Sequence, residues 1–162
     1  MTVGLRGSAL TEAAAPGRDC GGCTACCTVL AVDELRKPMR YACPHQAADG
    51  CRIYADRPHG CRQFHCVWLR GGLPAEEDWR PDRLGLLFDQ FVRATDGQPQ
   101  LTAFEVIPGA LSTAAAKQLL RQIVDVGGQE LMLFYRDGSV ARLVPDGPAT
   151  NADSAGPLPT VH

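Results

Sequence analysis

Between residues 112 and 127 the apolar side chains Ala116, Leu119, Leu120, Ile123 and Val124 recur every three or four positions and form one stripe along a helix. Ser112 offers this helix an N-cap and Gly127 a stop. On either side the pattern changes. Leu84 to Val92 and Leu101 to Ile107 read as strands joined through Asp96-Gly97, which predicts a hairpin. Glu130 to Tyr135 and Val140 to Val144 predict a second hairpin around Asp137-Gly138, a favoured tight-turn pair. The order β-β-α-β-β predicts a small α+β unit over residues 84–144, with one helix lying across an antiparallel sheet.

The first half is less regular. Thr24 to Lys37 predicts a helix that starts beside Gly21-Gly22 and stops at Pro38, with Cys26 and Cys27 in its first turn. A second helix is expected to start at Pro58 and run through Phe64 and Trp68, which then share a face, with Cys61 inside it. Met39 to Asp56 has many chain breakers and little periodicity, so it is expected to need a metal to hold it. Residues 1–19 and 145–162 are expected to be disordered tails, the latter holding Pro145, Pro148, Pro157 and Pro159. Gly71, Gly72 and Pro74, followed by Glu76, Glu77 and Asp78, predict a linker over 71–83 between a 20–70 segment and the 84–144 unit.

Composition adds a contrast in charge and one in cysteine. The chain has 162 residues, 45% hydrophobic and 21% charged, with a net charge of -2, so no basic excess points to nucleic acid or an anionic membrane. Residues 1–70 carry 9 Lys and Arg against 6 Asp and Glu, whereas residues 71–162 carry 7 against 12. No run approaches the roughly 20 apolar residues of a spanning helix, and the first residues lack the apolar core of a signal peptide, so a cytoplasmic location is expected.

All eight cysteines fall between Cys20 and Cys66, along with His45, His59 and His65. In a reducing compartment such density favours thiolates free for metal over disulfides. Cys20, Cys23 and Cys26 follow one another with two residues between each pair, and Cys27 comes directly after. This spacing lets thiolates converge on one centre, and Cys43, Cys51, Cys61 and Cys66 complete a candidate set of eight ligands. Neighbouring side chains on a helix diverge by about 100 degrees, so Cys26 and Cys27 are not expected to grip one ion equally well, and one of them is expected to serve a second centre. Two zinc ions with four thiolates each fit this ligand count. The opening run also resembles half of a ferredoxin motif, and Cys43-Pro44 supplies a cysteine followed by proline, which tilts the expectation toward an iron-sulfur cluster. The histidines are expected to be secondary to the thiols. Arg52, Arg57 and Arg62 could offset the charge of a four-thiolate centre, and Tyr54, Phe64 and Trp68 are expected to shield it.

Cys20 through Cys27, Cys43, Cys51-Arg-Ile-Tyr54, Arg57-Pro58 and Cys61-Arg-Gln-Phe64-His-Cys66 together resemble the YkgJ-type cysteine-cluster family of bacterial proteins. The resemblance covers residues 20–70 and implies a zinc- or iron-chelating domain. Some larger relatives are protein lysine methylases, but it implies no reaction for this chain. Relatives often have proline before the last cysteine, where this chain has His65.

No phosphate loop, dinucleotide fingerprint, H-E-x-x-H or G-x-S-x-G motif occurs, so an independent enzyme is not expected. The sequence points to a metal-binding protein whose cluster has a structural, electron-transfer or metal-carrying role for a partner protein. A metal-dependent enzyme or enzyme accessory with a labile coordination position is the alternative.

Overall fold

The computed structural model describes residues 13–145, 150–151 and 160–161. In chain order they form α1 (Ala25–Val29), β1 (Ala31–Val32), β2 (Gln46–Ala47), β3 (Gly50–Cys51), α2 (His59–Gln63), α3 (Pro81–Leu84), β4 (Leu86–Val92), β5 (Pro99–Glu105), α4 (Ala114–Gly127), β6 (Leu131–Phe134), β7 (Val140–Leu143), β8 (Thr150–Asn151) and β9 (Thr160–Val161). The protein is mixed α+β, with few and mostly short helices.

A five-stranded sheet in the order β4-β5-β6-β7-β8 forms the centre. Its sheet is mixed, not antiparallel throughout as expected, because β5 and β6 pair in parallel, Leu101 opposite Leu131. α4 lies between them in the chain and returns it to the end at which β5 began, so both strands run the same way. Thr113, not Ser112, caps α4: its Oγ1 accepts the Ala116 N–H at 3.1 Å, while Ser112 belongs to the preceding 3-10 turn. The helix runs through Gly127 and ends at Gly128, which takes the left-handed conformation at φ 61°.

Alternation along the strands sends side chains to two faces. Leu86, Phe88, Leu101, Ala103, Leu131 and Leu133 pack with Leu120, Ile123 and Val124 of α4. Leu87, Phe104 and Phe134 belong to a second cluster with Ala25, Val29, Leu30 and Met39. The cysteine-rich segment therefore covers one face of the sheet while α4 covers the other. Phe104 and Phe134 stack with ring centroids 4.9 Å apart at the centre of the covered face. Polar ties reinforce the contact, since Arg136 Nη1 donates to Thr28 O at 3.1 Å and Arg40 Nε to Tyr135 O at 2.8 Å.

The segment expected to be a linker also joins the core. Leu73 is buried with the α4 cluster, Trp79 packs against it, and α3 leads directly into β4. Upstream, the Ala15 N–H donates to Leu69 O at 2.8 Å, and the Arg18 guanidinium lies over the Trp68 ring, 5.3 Å from its centroid. Of the C-terminal segment, Thr150–Asn151 pairs with β7 and Thr160–Val161 runs parallel to Ala31–Val32. The rest of both expected tails, 1–12, 146–149, 152–159 and 162, lies outside the described residues.

Both helices expected in the first half are shorter than their sequence pattern suggests. α1 stops at Val29 because Leu30 turns extended (ψ 150°), and Val32 then pairs with Lys37 through N–H···O bonds of 2.9 and 3.0 Å. This closes a tight loop over Asp33 to Arg36 that a helix continuing to Lys37 would forbid. α2 ends at Gln63, so Phe64 and Trp68 share no helical face. Beyond Phe64 the chain is drawn to the sheet edge, where the Val67 N–H donates to Phe88 O at 2.8 Å.

Because the two halves share a core, Phe134→Ala should cost about 3–5 kcal/mol by cavity formation alone. Denaturant unfolding followed by far-UV circular dichroism and by tryptophan fluorescence should then give one coincident transition at a lower midpoint. Two separate transitions would show that the sheet and the cysteine-rich segment unfold independently.

Candidate metal centre

Several stretches of chain bring the thiols together. The turn before α1 places Cys20 and Cys23, with the Cys23 N–H donating to Cys20 O at 2.8 Å. α1 carries Cys26 and Cys27. The loop to β2 is tied back by the Cys43 N–H, which donates to Cys27 O at 3.0 Å, and the β2-β3 hairpin sets Cys51 opposite Gln46. Gln46 Nε2 in turn donates to Thr24 Oγ1 and Thr28 Oγ1 of the α1 region at 2.9 and 3.1 Å. α2 holds Cys61, and its first turn is capped by Glu34, whose carboxylate accepts the His59 and Gly60 N–H groups at 2.9 and 3.0 Å. Cys66 follows α2 on the way to the sheet.

Cys20, Cys23, Cys26, Cys27, Cys43, Cys51 and Cys61 all line one cavity of about 50 Å³. An adjoining cavity of about 40 Å³ is lined by Cys66 together with Cys20, Cys23, Cys26 and Cys61. All eight cysteines are unpaired. His45 lines the first cavity, whereas His59 and His65 line neither. Arg57 and Phe64 line both, Tyr54 the first, and Trp68 the second. Arg52 lines neither, and Arg62 faces a separate groove with His65, Arg70 and Asp89.

The thiols do not share one electrostatic environment. Burial pushes Cys66 up to about 12 and Cys23 to about 11, because water no longer solvates their thiolates. The Cys26 thiol donates a hydrogen bond to the Cys27 sulfur, which holds Cys26 protonated and lowers Cys27 to about 7, with Lys37 and Arg57 adding to the lowering. Adjacent Cys26 and Cys27 are thus close enough to interact and both face the first cavity, although Cys26 alone of the pair reaches the second.

Sequence reasoning missed Lys37. It is buried, its ammonium donates to Leu30 O, and burial lowers its pKa while the nearby Cys43, Cys27, Cys26 and Cys61 raise it. Arg80 and Asp82 were missed too. Arg80 grips Asp82 through two hydrogen bonds of 2.6 and 3.0 Å, and Asp82 accepts from the Cys23 thiol. The expected linker concealed both, since nothing in the local pattern of 71–83 marks it as contacting the cysteines.

Among the described residues, no three His, Cys, Asp or Glu side chains already stand as a ligand set about one point. The donor chemistry nevertheless fits a thiophilic metal. Eight soft sulfur donors surround two small adjoining cavities, and Lys37, Arg57 and Arg80 supply positive charge beside them.

The chain matches no family model, no curated protein and no solved structure.

In the reduced, metal-free chain, Cys27 should be alkylated first near neutral pH. Its rate should climb as pH rises toward about 7 and then level off, whereas Cys23 and Cys66 should keep gaining thiolate up to about 11 and 12. Iodoacetamide labelling with peptide mapping checks this order. Equal labelling of Cys27 and Cys66 at neutral pH would contradict it.

Proposed function

We propose that the chain chelates a thiophilic metal through Cys20, Cys23, Cys26, Cys27, Cys43, Cys51, Cys61 and Cys66, and that this metal staples residues 20–70 onto the sheet. The observation that carries the reading is the gathering of seven thiols from separate stretches of chain around one cavity, with the eighth on the cavity beside it. These stretches contain two five-residue helices and strands of two residues, too little regular structure to bring sulfurs together without a strong local interaction. Metal-thiolate bonding supplies one, with folding free energy of about 10 kcal/mol or more for a structural site. The resemblance of residues 20–70 to the YkgJ-type cysteine-cluster family supports the same reading.

The role follows from the metal. An iron-sulfur cluster, to which the spacing of Cys20, Cys23 and Cys26 tilts, makes the chain an electron or metal carrier for a partner protein. Zinc, which is redox-silent, makes it a stapled binding module. Protein purified without oxygen should be brown, contain iron and acid-labile sulfide, and bleach in air. A colourless anaerobic preparation with stoichiometric zinc and no sulfide would sink the iron-sulfur assignment and the electron-carrier role.

Stripping the metal under reducing conditions should collapse amide exchange protection over residues 20–70. The shared core extends the effect, because Leu87, Phe104 and Phe134 lose their cover. Protection in β4, β5 and β6 should therefore fall too, by less than in residues 20–70. Unchanged protection across 20–70 would show that no metal holds this segment.

A further inference from the structure

The eight thiols divide by what lies behind them. Cys20 and Cys66 pack against the core cluster that includes α4, and Cys23, Cys26 and Cys66 against the cluster on the opposite sheet face. Among the described residues, Cys27, Cys43, Cys51 and Cys61 belong to neither cluster. The cavities separate four of the eight thiols in the same way. Cys66 lines only the inner one, beside Trp68, Leu69 and Leu87. Cys27, Cys43 and Cys51 line only the outer one, beside Val32, Leu35 and Ile53.

Local geometry agrees with this sorting. The Cys43 N–H bonds to Cys27 O, and Gln46, opposite Cys51, bonds to Thr24 and Thr28, so Cys27, Cys43 and Cys51 are carried by elements already tied to one another. Cys61 lines both cavities, but the Glu34 cap anchors its helix to the loop after β1, on the outer side. Cys20, Cys23 and Cys26 also line both, and their packing against the core assigns them to the inner side with Cys66.

Resting on the metal-binding reading above, we propose that the chain holds two separate four-thiolate centres, a core-facing one of Cys20, Cys23, Cys26 and Cys66 and an outer one of Cys27, Cys43, Cys51 and Cys61. The boundary runs between adjacent Cys26 and Cys27. Arg57, which lines both cavities, lies between the centres and offsets charge on each, and Arg80 serves the inner one.

The test uses the full chain, reduced, stripped of metal and titrated with cadmium-113, a thiophilic probe visible by NMR. Two resonances of equal intensity in the tetrathiolate range, without cadmium-cadmium coupling, are expected at saturation, with two equivalents bound. Cys66→Ser should abolish one resonance and Cys43→Ser the other, each leaving one equivalent bound. The wild-type spectrum decides even where a variant fails to fold. A single resonance with one equivalent bound overturns the two-centre arrangement and leaves metal binding intact. Two resonances coupled through a bridging sulfur also overturn it, in favour of one shared cluster. No cadmium bound at a thiolate site overturns the metal-binding reading itself.

Discussion

The second face of the sheet must be covered, and the chain covers it with a segment that has little secondary structure of its own. Leu87, Phe104 and Phe134 would otherwise be open to water, at a cost of about 1.5–3 kcal/mol for each large apolar side chain. Among the described residues, the cover supplies Ala25, Val29, Leu30 and Met39 as buried partners. Its backbone is held chiefly by turns and by short elements that would not persist alone. Whatever draws the cysteines together also positions those four side chains, so the thiol site and the sheet depend on one another.

Electrostatics sets the second condition. Burial raises Cys66 and Cys23, and at Cys26 the hydrogen bond to Cys27, burial and the neighbouring thiols all oppose ionisation, as Cys23 and Cys20 do in smaller part at Cys66. A bound cation reverses this opposition, because each thiolate then faces positive charge instead of its neighbours. Lys37 and Arg57 begin that reversal from the protein side at Cys27. Burying the Lys37 ammonium is unfavourable on its own, and its carbonyl partners Leu30 and Pro38 together with the surrounding sulfurs offset the loss of water.

What could be read from the sequence was what local pattern controls. Of the α4 stripe, Ala116, Leu120, Ile123 and Val124 are buried and Leu119 is half-buried, and the strands lie within one or two residues of their apolar runs. Cysteine density alone marked the residues that line the two adjoining cavities. The parallel pairing of β5 with β6 was not legible, since strand direction is decided by how α4 crosses the sheet and not by either strand's composition. Nor was the early end of α1, because Val32 and Lys37 pair only once Leu30 is buried against the sheet. Lys37, Arg80 and Asp82 stayed hidden for the same reason, their role being set by tertiary neighbours.

The asymmetry of the site bears on how a partner would use it. Behind the inner cavity stand Trp68, Leu69 and Leu87, all buried, and the sheet itself. The rim of the outer cavity carries Tyr54, which is 49% exposed, with the Arg57 guanidinium stacked 3.7 Å from its ring centroid. If the thiols hold a metal, electron transfer or metal exchange would require close approach to it past Arg57, which lines both cavities. On the outer side that approach needs only a shift of a half-exposed ring and a flexible guanidinium. Under the proposed reading, a partner protein that reached the first cavity would therefore meet Tyr54 and Arg57, the ring and guanidinium that stack at its edge.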